Sequence, residues 1–318
     1  MSRNDHVTTV VKSIRSTTPR VKVFELVQPE DWELPFFDAG AHIDVHIPGG
    51  HVRQYSLAGD PADQKTYTLA VMADEHGRGG SMAFCSNVKV GMELSVSMPK
   101  NYFALVPGAH RHIFVAGGIG ITPFIAMIKV AQRRGEAFEL HYCSPAEPDT
   151  PFLAELKQLA GDNLSLYHSR GTGGERLNVD DLVQQCQPTD HIYCCGPDKL
   201  MSAVRDAGIK YLNADNLHFE RFQAPEAASA GHGVYEIKLA RQDRAVEVRD
   251  GETMLGALRR CGVAVEAGCE SGTCGDCKVR YLSGQVMHLD FRLSEPERRE
   301  FLMPCVSQAK SPSITLDL

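Results

Sequence analysis

The sequence predicts a multidomain protein: an antiparallel β-barrel, then an α/β domain built on a parallel sheet, then a small strand-rich domain at the C-terminus. Three observations lead to this prediction. Short apolar strands separated by turn residues come first, strands and helix-like segments alternate in the middle, and a tight cysteine cluster lies near the C-terminus. A chain of 318 residues is long enough for about two or three such domains.

The barrel prediction rests on residues 7–100. Two typical turn sequences, Pro48-Gly49-Gly50 and Gly59-Asp60-Pro61, interrupt this region. The segments that read as strands are VTTVVKSI, RVKVFELV, AHIDVHI, HVRQYSLA, TYTLAVM and MELSVSM. Regular short strands with such turns are typical of an antiparallel barrel, which we expect over residues 1–106.

The middle region alternates in a different way. From Arg111 onward, apolar strands such as HIFVA, FELHYC and HIYCC are each followed by a segment with helical character, such as ITPFIAMIKVAQRRG. This βαβ pattern indicates a doubly wound parallel sheet, which we expect over residues 107–224. A stretch rich in Ala, Gly and Pro at 225–233 is the expected linker. It leaves residues 234–318 for the last domain, which opens with the strands VYEIKLA and RAVEVRD and a short helix from about Thr253.

Composition and charge restrict the function. Apolar residues make up 43% of the chain and charged residues 23%, as is usual for soluble globular proteins. The formal net charge of −7 argues against nucleic acid or an anionic membrane as a partner. The start, MSRNDHVTTV, lacks the apolar core of a signal peptide, and no stretch reaches the roughly 18 apolar residues of a membrane span. We expect a cytoplasmic, monomeric protein.

Four of the ten cysteines have a distinctive spacing. Cys269, Cys274 and Cys277 form C-x4-C-x2-C, and Cys305 follows after 27 intervening residues. Cytosolic thiols are kept reduced, so a tight cluster of them indicates a metal rather than disulfides. The spacing is that of plant-type [2Fe–2S] sites, in which three thiolates lie on one loop and the fourth is distant. Structural zinc is the alternative, although it usually shows two C-x2-C pairs.

The glycines of this loop have an expected role. Gly268, Gly272 and Gly275 are expected to give the loop the positive φ angles that bring backbone N–H groups to a cluster. The remaining cysteines fit no ligand position, and buried free cysteine is common in cores. Those expected to be packing residues are Cys85, Cys143, Cys186, Cys194 and Cys261.

One strand of the expected barrel carries a candidate flavin site. In the segment 53–56, Tyr55 can lie against a planar ring, Ser56 can hydrogen-bond its edge, and Arg53 can bind a phosphate. Taken alone, this segment also suits an ordinary polar strand face. A second segment, Gly77-Arg78-Gly79-Gly80-Ser81, is either a plain turn and cap or the start of a helix whose N–H groups bind a phosphate. Together, in this order, the two segments favour a flavin.

Two turns of the expected parallel sheet are candidates for a dinucleotide site. The strand HIFVA leads into residues 117–123, GGIGITP, where the glycines admit a pyrophosphate, Thr122 can cap the next helix and Pro123 suits its first turn. The second turn is CCGP at 194–197, where Cys195 either contacts a nicotinamide or is a small buried residue. Open α/β sheets bind ligands at the carboxyl ends of their strands, where both turns lie.

The motifs RxYS, GRGGS, GGIGITP, CCGP and C-x4-C-x2-C…C occur here in that order. With them, essentially the whole chain resembles the phthalate dioxygenase reductase family, which includes vanillate demethylase and carnitine monooxygenase reductases. The resemblance implies a flavin barrel, an NAD domain and a β-grasp ferredoxin domain. It implies FMN, with FAD as the alternative, and a [2Fe–2S] cluster that passes electrons singly to a Rieske-type terminal oxygenase. NADH is the expected coenzyme, with weaker use of NADPH; Arg170 either binds the 2′-phosphate of NADPH or is a solvated loop residue.

Carried over motif by motif, the resemblance also implies the site residues. The flavin contacts are Arg53, Tyr55, Ser56, Gly79, Gly80, Ser81, Thr122 and Phe222. The nicotinamide contacts are Gly118, Thr122, Cys195, Gly196 and Pro197, and the cluster ligands are Cys269, Cys274, Cys277 and Cys305. No side chain is expected to act as an acid or base. The residues alone leave two other classes open: an NAD(P)-dependent dehydrogenase with a structural-zinc C-terminal domain, and a non-enzymatic redox-sensing module.

Overall fold

The computed structural model of this chain describes residues 6–75, 77, 79–170, 174–225 and 233–318. The expected linker at 225–233 therefore lies outside the described residues except at its two ends, and Arg78 of the GRGGS motif lies outside them as well. The chain divides into two compact units, Met1–Glu220 and Arg221–Leu318. Among the helices of the described residues, none combines the length and the apolar character needed to cross a membrane.

The chain begins with a six-stranded antiparallel sheet that curls into a near-barrel. Its strands are β1 (His6–Thr18), β2 (Val21–Val27), β3 (His42–Ile47), β4 (His51–Ser56), β5 (Tyr67–Met72) and β6 (Glu93–Ser97), in the spatial order β4-β3-β6-β1-β2-β5. The N–H of Ala58, just after β4, donates to the carbonyl of Thr68 on β5 at 2.9 Å and so draws the two edges together. Helix α1 (Gly80–Asn87) packs on the barrel core, where Phe84 meets Phe24 edge-on at 4.6 Å between ring centroids.

A five-stranded parallel sheet follows in the same unit. Its strands are β7 (Arg111–Gly117), β8 (Ala137–Ser144), β9 (Leu164–His168), β10 (Asp190–Cys195) and β11 (Leu217–Glu220), and its helices are α2 (Thr122–Arg134), α3 (Leu153–Ala160), α4 (Val179–Gln184) and α5 (Asp198–Tyr211). In the order β11-β10-β7-β8-β9, β7 is the central strand with β10 beside it, and both are buried along almost their whole length. The chain changes direction across the sheet between these two strands, which makes their carboxyl ends the place where such sheets bind ligands.

The second unit is a β-grasp domain. Its elements are β12 (Tyr235–Leu239), β13 (Arg244–Val248), α6 (Met254–Arg260), β14 (Val279–Ser283), β15 (Val286–Met287), β16 (Phe301–Leu302), β17 (Gln308–Ala309) and β18 (Ser313–Leu316). The main sheet has the order β13-β12-β18-β14-β16, with β12 and β18 parallel. Helix α6 begins where the sequence predicts, because Thr253 accepts a hydrogen bond from the N–H of Gly256 at 3.1 Å. Met254 and Leu258 of this helix are fully buried in the domain core. The three expected folds are confirmed.

Gly40 marks a tight backbone crossing beside the barrel. Its φ is +92°, in the left-handed region, and a Cβ there would overlap the carbonyl oxygen of Phe103. We expect Gly40→Ala to lower the free energy of unfolding by about 3 kcal/mol, because it adds both backbone strain and a steric overlap. Gly49→Ala is the matched control: Gly49 has φ +101° with no atom within 4 Å of its Cβ position, and we expect it to cost about 1 kcal/mol. Urea unfolding measures both variants, and equal midpoints would contradict the steric account.

Candidate functional site

The two segments of the expected flavin site meet at the start of α1. Gly80 is the first residue of this helix, and a Cβ added to it would overlap the guanidinium of Arg53 on β4. The preceding Gly79 has φ +78°, a left-handed conformation that favours glycine. A cation thus lies beside N–H groups that the first helical turn leaves unbonded, and this combination fits a phosphate. Ser81 accepts a hydrogen bond from the N–H of Asp74 at 3.2 Å, which leaves its hydroxyl hydrogen to donate elsewhere.

Tyr55 gives this site its aromatic surface. Its half-buried ring packs edge-on against Phe84 of α1, with 5.2 Å between the ring centroids. Its hydroxyl is buried and has no hydrogen-bond partner among the described residues. Burial raises the pKa of Tyr55 above its usual value, so the hydroxyl remains a donor. A buried donor of this kind fits a ligand that would complete its hydrogen bond.

Ser56 is hydrogen-bonded to Glu220, a residue that the sequence did not indicate. Its buried hydroxyl donates to Oε2 of Glu220 at 3.4 Å. Glu220 ends β11 and lies opposite Cys195, the last residue of β10, in the parallel register. Burial, and then the charge of Glu220, raise the pKa of the Cys195 thiol well above its usual value. The available signal was the position of this glutamate at the carboxyl end of a parallel strand.

The two glycine-rich turns of the expected nicotinamide site pack directly against each other. A Cβ on Gly120 would overlap the carbonyl of Cys195, and a Cβ on Gly117 would come within 2.5 Å of Cδ of Pro197. Gly196 is equally constrained, because its Cβ would lie 2.9 Å from Cα of Gly117. The structure therefore brings these turns together at the carboxyl ends of β7 and β10.

Gly118 and Thr122 brace the first of these turns. Gly118 has φ +56°, and its carbonyl accepts a hydrogen bond from the hydroxyl of Tyr142 at 2.9 Å. The buried hydroxyl of Thr122 donates back to the carbonyl of Ile119 at 3.2 Å. The expectation that Thr122 caps α2 is wrong, because the N-cap is Ile121 and no side chain bonds there. Thr122 instead begins the helix, and its hydroxyl closes the preceding turn.

The remaining expected contacts differ in exposure. Cys195 is 1% exposed and packs in the core shared with α2, whereas Gly196 is half-buried and Pro197 is exposed. Cys194 is fully buried, as expected of a packing residue. Phe222 belongs to the second unit and is 44% exposed, so its contact with a flavin stays a prediction.

The four expected cluster ligands come together as two pairs in the second unit. The sulfurs of Cys277 and Cys305 lie 3.3 Å apart. In the other pair, the N–H of Cys269 donates to Sγ of Cys274 at 3.4 Å, and the N–H of Cys274 donates to Sγ of Cys269 at the same distance. Two sulfurs on one tetrahedral metal, with bonds of about 2.3 Å, are roughly 3.8 Å apart. The separation of Cys277 and Cys305 is close to this value and fits two ligands of one iron.

Hydrogen-bond donors converge on the sulfur of Cys269. The backbone N–H groups of Ser271 and Thr273 lie 3.4 and 3.5 Å from it, and the hydroxyl of Thr273 lies at 3.4 Å. A hydrogen bond from the Cys274 thiol lowers the pKa of Cys269 against the opposing effect of burial, and the donors of Ser271 and Thr273 lower it further. The thiolate is the form that binds metal, so the loop suits an anionic cluster.

Positive φ angles shape the ligand loop, but not all where the sequence suggests. Gly272 and Gly275 have φ +82° and +98°, as expected. The expectation for Gly268 is wrong: it is not in the left-handed region, and Glu270 is, with φ +53°. The carboxylate of Glu270 is held by Arg259 at 2.6 Å, which helps to keep that uncommon conformation in place.

Known proteins resemble this chain along its length. Residues 114–206 match the oxidoreductase NAD-binding domain, and residues 237–310 match the 2Fe-2S iron-sulfur cluster binding domain. The chain is 36% identical over 313 residues to the vanillate O-demethylase oxidoreductase of Pseudomonas sp. (strain HR199 / DSM 7063), covering 97% of this chain and 99% of the relative. The solved phthalate dioxygenase reductase matches with a TM-score of 0.72 and 34% identity over 98% of both chains. An intact type IV self-sufficient cytochrome P450 monooxygenase matches with a TM-score of 0.74 and 34% identity, over 98% of this chain and 41% of that chain.

These likenesses agree with the site. The match over residues 237–310 favours an iron–sulfur cluster over zinc at the four cysteines. The chain is an oxidoreductase with an NAD-binding domain and a [2Fe–2S] cluster binding domain. The first two relatives named above are an oxidoreductase of vanillate O-demethylase and a reductase of phthalate dioxygenase. The chain belongs to the phthalate dioxygenase reductase family.

Proposed function

We propose that this chain takes hydride from NADH onto FMN and delivers electrons singly, through its [2Fe–2S] cluster, to a Rieske-type terminal oxygenase. The observation that carries the proposal is the four-cysteine loop with its converging donors in the same chain as the flavin and nicotinamide turns. Nicotinamide gives two electrons together and a Rieske centre accepts one, and FMN, when bound, makes that conversion. The likeness to a dioxygenase reductase and a vanillate demethylase reductase supports a Rieske-type acceptor.

Different residues of the first unit bind different parts of FMN. Arg53 and the N–H groups at Gly80 and Ser81 bind the phosphate, with Gly79 turning the chain into α1. Tyr55 contributes its ring and its unpaired hydroxyl. The geometry of these groups suits FMN. The edge of the flavin ring system is assigned to the residues at the ends of β4 and β11, Ser56 and Glu220.

The ends of β4, β10 and β11 orient the reacting rings. Glu220 holds the Ser56 hydroxyl, and Thr122 fixes the turn that follows β7. Because the glycine turns carry no side chains, nicotinamide can approach the backbone closely, and Gly196 and Pro197 form the surface that it contacts. Hydride transfer needs no acid or base, so we assign none.

The proposal extends to domain division and location. We propose an FMN domain at 1–106, an NAD domain at 107–224 and a ferredoxin domain at 234–318, with Phe222 contacting the flavin. None of the ten cysteines, all of which lie among the described residues, forms a disulfide, which supports a reducing compartment such as the cytoplasm. A second candidate acceptor is the haem of a cytochrome P450, favoured by the match to the self-sufficient P450.

Electron delivery tests the proposed function. NADH-reduced protein mixed in a stopped-flow instrument with a purified Rieske-type oxygenase should bleach the Rieske absorbance. Cys274→Ser should lose iron and slow this transfer by at least about 100-fold, because a ligand is missing, while NADH still reduces the flavin. Cys261→Ser is the matched control, since Cys261 lies outside the ligand set. Full iron content in Cys274→Ser would refute the ligand assignment, and reduction of a P450 but not of the Rieske protein would favour the haem acceptor.

Coenzyme preference depends on the residues after β9. The N–H groups of Ser169 and Arg170 donate to the carbonyls of Ser144 and Pro145 at 3.1 and 2.8 Å, and the Arg170 side chain is exposed. We expect NADH to be preferred, and Arg170→Ala to change kcat/KM for NADH by less than about twofold, because a solvated guanidinium meets no 2′-phosphate in NADH. Steady-state kinetics with both coenzymes, with the nearby Arg176→Ala as control, measure this. A wild-type preference for NADPH that collapses only in Arg170→Ala would overturn the choice of NADH.

The division into units predicts modularity. A fragment of residues 1–224 should fold, bind FMN and reduce ferricyanide with NADH, because the expected flavin and nicotinamide residues other than Phe222 lie within the compact unit Met1–Glu220. Flavin fluorescence after acid extraction and ferricyanide turnover are the measurements. A fragment that is insoluble or flavin-free, when the full chain is normal, would count against the proposed division.

A further inference from the structure

Arg221, the first residue of the second unit, is bound to the cluster loop. One nitrogen of its guanidinium, Nη1, donates to the carbonyls of Ser271 and Leu289 at 3.2 and 3.0 Å. The guanidinium carbon lies 4.4 Å from the centroid of the Phe291 ring, a cation–π distance. The side chain is half-buried, so these contacts are only partly screened by water. Arg221 therefore fixes the ligand loop to the segment that carries Leu289 and Phe291.

The residue whose carbonyl Arg221 holds also donates to a ligand sulfur. Ser271 lies between two ligands, and its own N–H donates to Sγ of Cys269 at 3.4 Å. Its carbonyl belongs to the same peptide group as the N–H of Gly272, so Arg221 also fixes the plane of that peptide. The positive charge of Arg221 thus lies at the carbonyl of the same residue whose N–H binds a ligand sulfur.

This peptide has little room to move. Gly272 has φ +82°, and a Cβ there would lie 2.8 Å from Cγ2 of Val306. The carbonyl of Gly272 accepts from the N–H of Phe291 at 2.9 Å. Arg221 therefore holds the carbonyl of Ser271, which precedes Gly272, and Phe291 holds the carbonyl of Gly272 itself. Arg221 and Phe291 also contact each other.

We propose that Arg221 is a positioning residue that fixes the ligand loop at the carbonyl of Ser271, whose own N–H binds Sγ of Cys269, and raises the reduction potential of the cluster. Reduction adds one electron and one negative charge to an already anionic group, so a nearby cation and firm N–H donors favour the reduced form. No bond to Arg221 forms or breaks, and its guanidinium keeps its protons. The inference rests on the [2Fe–2S] assignment and does not depend on which oxygenase accepts the electrons.

The test is a redox titration of the full-length holoprotein with dithionite, followed by electron paramagnetic resonance. We expect Arg221→Met to lower the equilibrium constant for one-electron reduction about tenfold, which corresponds to about 59 mV. Arg221→Lys should show a smaller loss, because it keeps the charge but not the planar group that reaches two carbonyls over an aromatic ring. Arg241→Met is the matched control: Arg241 lies in the same unit, but its guanidinium pairs with Asp317 at 2.8 Å.

The outcomes separate clearly. A fully loaded Arg221→Met variant with the wild-type potential would refute the proposal, and so would an equal shift in Arg241→Met. If Arg221→Met loads too little iron to titrate, Arg221→Lys decides: a lowered potential supports the role and an unchanged one overturns it. The titration uses neither NADH nor an oxygenase, so a failure to reduce a Rieske protein would leave this inference standing.

Discussion

At the carboxyl ends of β7 and β10, Gly117 and Gly196 bring two backbone turns into direct contact, and the ligand-binding edge of the parallel sheet depends on that contact. A side chain at either position, or at Gly120, would force the turns apart. β7 is the central strand of the sheet and β10 lies next to it, so moving their ends would disturb the neighbours on both sides, β11 and β8. The register of β10 with β11 then places Glu220 beside Cys195.

The two predicted nucleotide sites bind phosphate groups through different interactions. The flavin site combines a side-chain cation, Arg53, with the start of α1, and Gly80 makes room for that cation. The nicotinamide turns offer backbone N–H groups and close approach. Although the formal net charge is −7, Arg53 and the N–H groups at the start of α1 provide local positive potential at the predicted flavin site.

The cluster loop relies on backbone donors in the same way. Its sulfurs are approached by N–H groups from Ser271, Thr273 and Cys274, which are fixed by the course of the chain and need no side-chain rearrangement. The peptide that carries the Thr273 N–H is held at its carbonyl, that of Gly272, by the N–H of Phe291, and Arg221 holds the neighbouring carbonyl of Ser271. Donors that are already oriented stabilise added charge without reorganising, which suits a site whose task is to gain and lose electrons.

The order of folds, the grouping of the four cysteines and the glycine turns followed from the sequence, because strand alternation, the βαβ pattern and the C-x4-C-x2-C spacing are local and periodic properties of a chain. The bond between Ser56 and Glu220, which are 164 positions apart, was decided only by the tertiary structure. The same is true of the bond between Arg221 and Ser271, 50 positions apart. The predictions that Thr122 caps α2 and that Gly268 has a positive φ angle were wrong for a related reason. Backbone angles in a tight loop depend on all the atoms packed around it. Side-chain partners across distant elements depend on register and packing, which no local pattern specifies.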